Sequence, residues 1–187
     1  DAAVPPDRLA PYLTELHQLL RDQGMGGVTY GHFGEGCIHL RVGFGLDKPG
    51  GEARLGGFMD AAADLVARHG GTLSGEHGDG LVRSEFHERM FGARIIADFR
   101  EVKQRFDPDK VLNPGKIVDP PRMDDRTLFR YPPGYATETF ETALDWSEWG
   151  GFAPAVEMCN NNGACRKRDG GVMCPSYRAT GDEAHVT

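Results

Sequence analysis

Apolar residues recur at helical spacing in three parts of the first hundred or so positions. A series of leucines predicts a helix over residues 9–22, which Gly24 ends. The same spacing predicts a second helix over 55–66 and a third over 85–106, which Gly92 interrupts. Six apolar side chains of this last helical region are predicted to face inward: Phe86, Met90, Ile95, Phe99, Val102 and Phe106.

Two extended segments, 28–33 and 38–44, lie between the first two helices. The second alternates strictly, with apolar side chains at its even positions and with His39 and Arg41 on the other face. One more short strand is predicted over residues 72–74. The order helix, strand, strand, helix, strand, helix predicts an α+β fold, in which helices cover one face of a ferredoxin-like antiparallel sheet.

The composition of the chain bears on whether it binds nucleic acid or spans a membrane. The 187 residues carry a formal charge of -7 and no long block of Lys and Arg, which argues against nucleic-acid binding. No apolar run approaches the length of a membrane-spanning helix. We therefore expect a cytoplasmic protein with no transmembrane segment, and peripheral association with the inner face of the membrane stays open.

The character of the chain changes after about residue 120. Residues 1–120 form the predicted α+β domain, and residues 121–156, rich in Pro, Thr, Asp and Glu, are predicted to be a linker. Residues 157–187 contain three of the four cysteines and are predicted to begin a separate, truncated cysteine-rich segment.

Two glycine-bracketed segments carry the chemistry. If the strands over 28–33 and 37–44 pair around a short turn, His32 lies opposite His39 with the Cβ atoms about 5 Å apart. Glu76, in the second segment, supplies a third ligand for a divalent ion such as zinc, and two His with one carboxylate also suit Mn or Fe(II). The competing interpretation is that these are polar turn residues without a metal.

His77 directly follows Glu76. An imidazole held beside a metal-bound substrate is well placed to act as a general base. The alternative is that His77 only forms a hydrogen bond with a neighbour. Asp79 and Glu35 are candidates for orienting an imidazole, or simply turn residues.

The tail has the spacing Cys159-x5-Cys165-x8-Cys174, followed by a proline. Bacterial ferredoxins bind their clusters with C-x2-C-x2-C-x3-C-P. Cys159 and Cys165 match the first and third positions, whereas Asn162 stands at the second and the final Cys-Pro pair comes late. The segment predicts a variant iron–sulfur site, and a structural zinc site is the alternative.

Three motifs occur in a fixed order: Gly-His-Phe-Gly-Glu-Gly-Cys-Ile-His at 31–39, Ser-Gly-Glu-His-Gly at 74–78 and Leu-Asn-Pro-Gly-Lys at 112–116. Together they resemble the C-terminal domain of the FAD-linked 2-hydroxyacid dehydrogenases of the vanillyl-alcohol-oxidase type. That family includes D-lactate, glycolate and D-2-hydroxyglutarate dehydrogenases. The cysteine tail resembles the iron–sulfur extension of the large bacterial members.

The resemblance implies roles for individual residues. His32, His39 and Glu76 match the metal ligands of the family, and His77 matches its catalytic histidine. Two residues of the third motif, Asn113 and Lys116, are predicted to face the flavin. Cys159, Cys165 and Cys174 are the implied ligands of a 4Fe-4S cluster in the intact protein.

The implied reaction is oxidation of a small D-2-hydroxyacid to the 2-oxoacid, with electrons passing from FAD towards iron–sulfur clusters. The FAD-binding domain of the family is not among these residues, so we expect a C-terminal piece that is inactive alone. The electron acceptor stays open, and a homo-oligomer is compatible with the resemblance. The alternative function is a non-enzymatic metal-binding or electron-transfer module.

Overall fold

The computed structural model describes residues 1–129, 136–139, 141–168, 170–171 and 173–186. The chain forms two compact units, residues 1–133 and residues 134–187. In the described residues no helix is both long and apolar enough to cross a membrane.

The first unit is α+β, as predicted. Its strands form one antiparallel sheet in the order β1-β3-β2, with β1 at Ala2–Ala3, β2 at Gly27–His32 and β3 at Cys37–Val42. Its helices are α1 at Leu9–Asp22, α2 at Gly51–Arg68 and α3 at His87–Phe106. The pairing of β1 with β3 was not foreseen, because two alanines carry no strand signal of their own.

The first helix forms because its leucines recur every three or four residues on one face. The buried residues of α1 are Leu9, Tyr12, Leu16 and Leu20. The helix ends where Gly24 takes a φ of 65°, which lets the amide of Met25 donate to the carbonyl of Leu20. The predicted bounds of 9–22 are confirmed.

The hydrophobic core of the first unit lies between helices and sheet. Its buried members come from α1, α2, β1, β3 and the flanking turns: Ala2, Val4, Leu9, Tyr12, Leu16, Leu20, Ile38, Phe58, Ala62, Ala63, Leu65, Val66, Leu73 and Phe86. The even positions of β3 face this core, since Ile38 is buried and both Leu40 and Val42 pack against it. His39 and Arg41 therefore project from the opposite face, as the alternation predicts.

The strand over 72–74 is not formed as predicted. Thr72 makes a single bridge to Ala3, with reciprocal backbone hydrogen bonds of 2.8 and 2.9 Å. The bridge nevertheless matters for the site, because it fixes the start of the 74–80 loop beside β1.

The predicted register of the hairpin is also wrong, by two residues. His32 pairs with Cys37, and His39 pairs with Tyr30. The turn at Phe33–Glu35 is a single turn of 3-10 helix, closed by Gly36 at a φ of 74°. Because side chains alternate with a period of two, a shift of two keeps His32 and His39 on one face as diagonal neighbours.

The third helix departs most from its prediction. Gly92 has a φ of 81° and interrupts α3, as its position suggests. The break changes the helical phase, so the apolar stripe does not continue inward beyond it. Ile96 is buried instead of Ile95, and Val102 and Phe106 are 55% and 83% exposed.

In the described residues of the second unit, the α-helices are α4 at Phe152–Glu157 and α5 at Pro175–Thr180. Trp146 packs edge-on against Phe152 with the ring centroids 5.3 Å apart, and Arg166 pairs with Glu183 at 3.0 Å. Residues 130–135 and 140 of the predicted linker lie outside the described residues. The division at residues 120 and 156 stays a prediction.

Candidate metal and proton-transfer site

The sheet and one loop bring three of the predicted residues together. His32 ends β2, His39 lies within β3, and Glu76 lies in the loop that follows the Thr72 bridge. The Nε2 atom of His39 is 2.7 Å from Oε1 of Glu76, and Nε2 of His32 is 3.8 Å from Oε2 of the same carboxylate. The Glu76 carboxylate thus stands between the two imidazoles.

His77 lies in the same cluster. Its ring stacks on that of His39, with centroids 4.6 Å apart and planes 9° from parallel. Its Nε2 atom is 3.9 Å from Oε1 of Glu76. About half of the His77 side chain is exposed, whereas His39 is buried. His77 is therefore the imidazole of the stacked pair that a small solute reaches more easily.

The donor set fits a divalent ion. One ligand atom from each of His39, Glu76 and His77 lies within 4.8 Å of the others, with His32 on the far side of the carboxylate. Imidazole nitrogen and carboxylate oxygen are ligands that zinc, manganese and iron share. The residues present are thus able to hold such an ion by contraction of the cluster.

Asp1 is the residue of this cluster that the sequence analysis missed. Its side chain is 1% exposed and lies beside the Nδ1 edges of the stacked His39 and His77 rings. Its Oδ2 accepts the backbone N–H groups of Glu76 and His77 at 3.3 and 3.0 Å. Asp1 precedes a two-residue strand of alanines, so no local pattern marks it.

Cys37 closes the inner side of the site. Its Sγ lies 4.0 Å from Oδ1 of Asp1, and burial, followed by the nearby charge of Glu76, raises the pKa of its thiol. A buried thiol with a raised pKa is protonated near neutral pH and is a poor nucleophile. Gly75 is required opposite it, because a Cβ there would come within 2.7 Å of the sulfur.

Arg41 supplies a cation on the face of the sheet that carries His39. Its Nε donates to the hydroxyl of Tyr30 at 3.2 Å, and the Tyr30 ring lies 5.1 Å from that of His39. Both Arg41 and Tyr30 are exposed. The exposed side of the cluster is therefore flanked by an aromatic ring and a guanidinium.

Asp79 and Glu35 do not orient the stacked histidines. Oδ2 of Asp79 lies 3.1 Å from Nε2 of His87, a buried imidazole at the start of α3. Glu35 is exposed in the hairpin turn. Sequence reasoning missed the pair of Asp79 with His87, because nothing in the pattern of α3 distinguishes a buried histidine from an exposed one.

Asn113 and Lys116 are exposed in the turn that follows α3. Asn113 has a φ of 46°, and its carbonyl accepts the amide of Lys116 at 3.4 Å. The next residue, Ile117, donates its amide to the carbonyl of Gly80, in the loop of Glu76 and His77. This contact ties the third motif to the second, and the flavin-facing role of both residues stays a prediction.

The tail cysteines sit in different environments. Cys159 is exposed, Cys165 is half-buried, and Cys174 is buried, with its Sγ donating to the carbonyl of His185 at 3.4 Å. Within the described part of the chain they do not form a group of three ligand atoms within 4.8 Å of one another. A cluster-binding role for them stays a prediction.

Comparison with known proteins agrees with the motifs. The family described as "FAD linked oxidases, C-terminal domain" matches residues 1–117. Proteins named D-2-hydroxyglutarate dehydrogenase from Pseudomonas putida and Escherichia coli are 36% and 35% identical, each over 99% of this chain. A D-lactate dehydrogenase of Archaeoglobus fulgidus is 36% identical over 63% of it.

The chain spans about 18% of the length of the first two relatives and 26% of the third. The family match covers residues 1–117, the greater part of the first unit, and includes the whole cluster of Asp1, His32, His39, Glu76 and His77. The chain belongs to the FAD-linked oxidases, of which it carries the C-terminal domain.

Proposed function

We propose that this chain supplies the proton-accepting half of the active site of an FAD-dependent dehydrogenase that oxidises a D-2-hydroxyacid to the 2-oxoacid. The hydroxyl proton passes to His77, the hydrogen on C2 leaves as hydride to the flavin, and a C=O bond replaces the C–OH bond. The observation that carries the proposal is the convergence of His32, His39 and Glu76 beside a third imidazole, that of His77, which is about half exposed.

Each residue has a separable task. His32, His39 and Glu76 hold a divalent metal, for which zinc is our first candidate. When bound, this ion supplies a Lewis acid that makes an alcohol proton easier to remove. His77 receives that proton at Nε2, because a neutral imidazole offers a nitrogen lone pair as proton acceptor.

The charge pattern suits a hydroxyacid substrate. Arg41 lies on the same sheet face as His39 and offers an exposed guanidinium, the group that best matches a carboxylate. FAD, bound by a part of the enzyme outside these residues, would accept the hydride. Asn113 and Lys116 are proposed to face it, since their turn is tied to the His77 loop.

The extent of the matches favours D-2-hydroxyglutarate as the substrate. Relatives named D-2-hydroxyglutarate dehydrogenase align over 96–99% of the chain, whereas two named D-lactate dehydrogenase align over 63%. The tail, residues 157–187, thus lies within the part of the chain that aligns with the relatives named D-2-hydroxyglutarate dehydrogenase. We propose D-2-hydroxyglutarate first and D-lactate second.

The tail is proposed to belong to an iron–sulfur domain that begins near residue 157 and carries electrons away from FAD. Cys159, Cys165 and Cys174 are its candidate ligands, and Cys174 immediately precedes α5, with Pro175 in the first turn. The intact enzyme is proposed to act in the cytoplasm or at the inner face of the membrane, alone or as a homo-oligomer, with an electron acceptor still to be identified.

The competing function is a metal-binding or electron-transfer module without catalysis. The buried, stacked position of His39 and the exposure of His77 favour the enzyme, because a purely structural ion held by His32, His39 and Glu76 does not need a further accessible imidazole beside it.

The test is the substitution His77→Asn in the full-length protein. General-base catalysis contributes about 10²–10⁴-fold, so kcat should fall by about that factor. Metal and flavin content should stay near normal, because His32, His39 and Glu76 are the proposed metal ligands and His77 is proposed to bind neither group. His17→Asn is the matched control, since His17 contacts Thr29 outside the cluster.

Substitution of His39 or Glu76 should instead empty the metal site. Normal turnover of the His77 variant with full metal would place the base elsewhere. Loss of metal on substitution of His77 would show that His77 is a metal ligand. Absence of flavin-linked hydroxyacid oxidation in the wild type would favour the competing function, a metal-binding or electron-transfer module without catalysis.

A further inference from the structure

Asp1 occupies a buried position that the proposed chemistry does not yet use. The ladder of β1 and β3 pairs Ala2 with Ile38, so the next step of the register brings Asp1 beside His39. The bridge from Ala3 to Thr72 holds the 74–80 loop on the other side. Three separate stretches of chain therefore meet at one carboxylate whose side chain is 1% exposed.

The carboxylate faces the same edge of both stacked imidazoles. Its Oδ1 lies 3.6 Å from Nδ1 of His39, and its Oδ2 lies 3.7 Å from Nδ1 of His77. The opposite edges of both rings face Glu76, with Nε2 at 2.7 Å for His39 and at 3.9 Å for His77. The two rings are thus held between two carboxylates, with the nitrogens in matching orientation.

Nδ1 of His39 is buried and has no hydrogen-bond partner among the described residues. A buried imidazole N–H without an acceptor lowers the stability of the fold. A small movement of the Asp1 carboxylate, whose Oδ1 lies 3.6 Å from Nδ1 of His39, would supply that acceptor. A neutral imidazole carries its single proton on one nitrogen only. Both nitrogens of His39 face a carboxylate, but a metal ion held by Glu76 would take the place of a proton on Nε2, so the single proton of the ring would belong on Nδ1, beside Asp1.

We propose that Asp1 is a positioning residue that holds His39 and His77 in the Nδ1–H tautomer and so leaves both Nε2 atoms free. For His39 the free Nε2 is the metal ligand, and for His77 it is the proton acceptor, so this inference rests on the proposed function. The Asp1 carboxylate then sets the tautomer of a metal ligand, His39, and of a base, His77. Its two bonds to the amides of Glu76 and His77 also fix the loop that carries them.

The substitution Asp1→Asn separates this role from a structural one. Asparagine keeps the shape, but it has one acceptor oxygen and one donor NH2 group. If the oxygen accepts the amides of Glu76 and His77, the NH2 group faces Nδ1 of His39. That arrangement favours the Nδ1 lone pair and places the proton on Nε2, where the metal must bind.

We therefore expect Asp1→Asn in the full-length protein to weaken metal affinity by about 10–100-fold, the usual cost of losing such a partner. The measurement is competition with a chelator, with zinc as the probe ion, together with kcat and KM. Asp7→Asn is the matched control, because Asp7 is 80% exposed and pairs only with its neighbour Arg8 among the ion pairs of the described chain. The control should stay within twofold of the wild type.

A second variant covers the case in which Asp1→Asn does not fold. Asp1→Gly leaves space for a small carboxylate, so added formate should restore part of the metal affinity in Asp1→Gly and none in Asp1→Asn. Wild-type affinity in Asp1→Asn, or no rescue of Asp1→Gly, would overturn the inference.

Two further results are informative. If Cys37→Ser empties the site as fully as Asp1→Asn does, then Asp1, Cys37 and His39 themselves bind the ion, and the positioning role is wrong. If substitution of Glu76 leaves the metal affinity unchanged, the proposed function fails first, whatever the Asp1 variants do.

Discussion

Arg41 is the residue that most directly connects the candidate site to the charge of the proposed substrate. It projects from β3 on the face of His39, and its exposed guanidinium donates to the hydroxyl of Tyr30. A planar cation beside a metal-binding cluster is suited to hold a carboxylate while the hydroxyl lies at the metal.

We expect Arg41→Ala in the full-length enzyme to raise KM for the hydroxyacid by about 10-fold or more, because a charge-assisted hydrogen bond contributes roughly 1.5–3 kcal/mol. Steady-state kinetics would measure it, and kcat should change less than KM. Arg8→Ala is the control, since Arg8 pairs with Asp7 on an exposed surface. An unchanged KM would assign the carboxylate to other residues.

At the scale of single residues, the sequence predicts four members of the candidate site. His32, His39, Glu76 and His77 stand out because glycines surround them, and their convergence follows from one hairpin and one loop. Asp1 could not be found in the same way. Its position depends on a pairing of two alanines with β3 and on a single bridge at Thr72, both of which are decided by tertiary contacts.

Among the elements, the turn after α3 depends on one buried carboxylate. Asp107 accepts the amides of Val111 and Leu112, each at 2.9 Å, and also binds the ammonium of Lys103. The hydrogen bond from Lys103 is the largest cause that lowers the pKa of Asp107 below its ordinary 3.8. The ionised form is therefore the one that stabilises the turn.

The sign of the pH dependence follows from that shift. A carboxyl whose pKa is lower in the folded state stabilises the fold above its unfolded pKa, and this contribution disappears as the pH falls through the folded value. We expect Asp107→Asn to speed hydrogen exchange of the turn at neutral pH, and the difference from the wild type to shrink below about pH 3.8.

Hydrogen exchange followed by mass spectrometry, corrected for the intrinsic pH dependence, measures this effect over residues 107–117. Asp109→Asn, an exposed change in the same turn, should leave the exchange unaltered. A difference between Asp107→Asn and the wild type that persists undiminished in acid would show that shape, and not charge, stabilises the turn.

The helices illustrate where periodicity succeeds and where it fails. For α1 a single uninterrupted stripe of leucines gave both bounds and the buried face. For α3 the interruption at Gly92 is predicted, but the inward stripe is continued across it, whereas the φ of 81° there separates two helical phases. Sequence periodicity assumes a continuous helix, so it misplaced Ile95, Val102 and Phe106 once the helix was broken.

At the scale of the whole molecule, the predicted linker is partly folded onto the first unit. The amide of Met123 donates to the Glu85 carboxylate at 2.7 Å, and Arg126 donates to the carbonyl of Leu46 at 2.6 Å. A polar, proline-containing composition favoured a linker, yet a few side-chain contacts with distant residues are enough to dock such a segment. Composition alone does not report those contacts.

The two candidate metal-binding regions lie in different units, so they should be separable. We expect the triple substitution of Cys159, Cys165 and Cys174 by serine to lower iron and acid-labile sulfide in the full-length protein. The divalent ion of the histidine cluster should stay, because its proposed ligands His32, His39 and Glu76 all lie in the first unit. Elemental analysis distinguishes the two pools.

Substitution of His39 by alanine is the reciprocal control, and it should remove the divalent ion while the iron stays. Equal iron and sulfide in the triple serine variant and the wild type would mean that the three cysteines bind no cluster.

Metal binding by the histidine cluster, as proposed, would also couple metal supply to the lifetime of the protein. Its ligands come from β2, β3 and a loop some forty positions further on, so an unfolded chain does not present them together. An ion that binds only the folded form stabilises it by about 2.7 kcal/mol at a concentration 100 times its Kd. A cell poor in that ion would then hold more of the protein in opened states, which are the ones that proteases degrade.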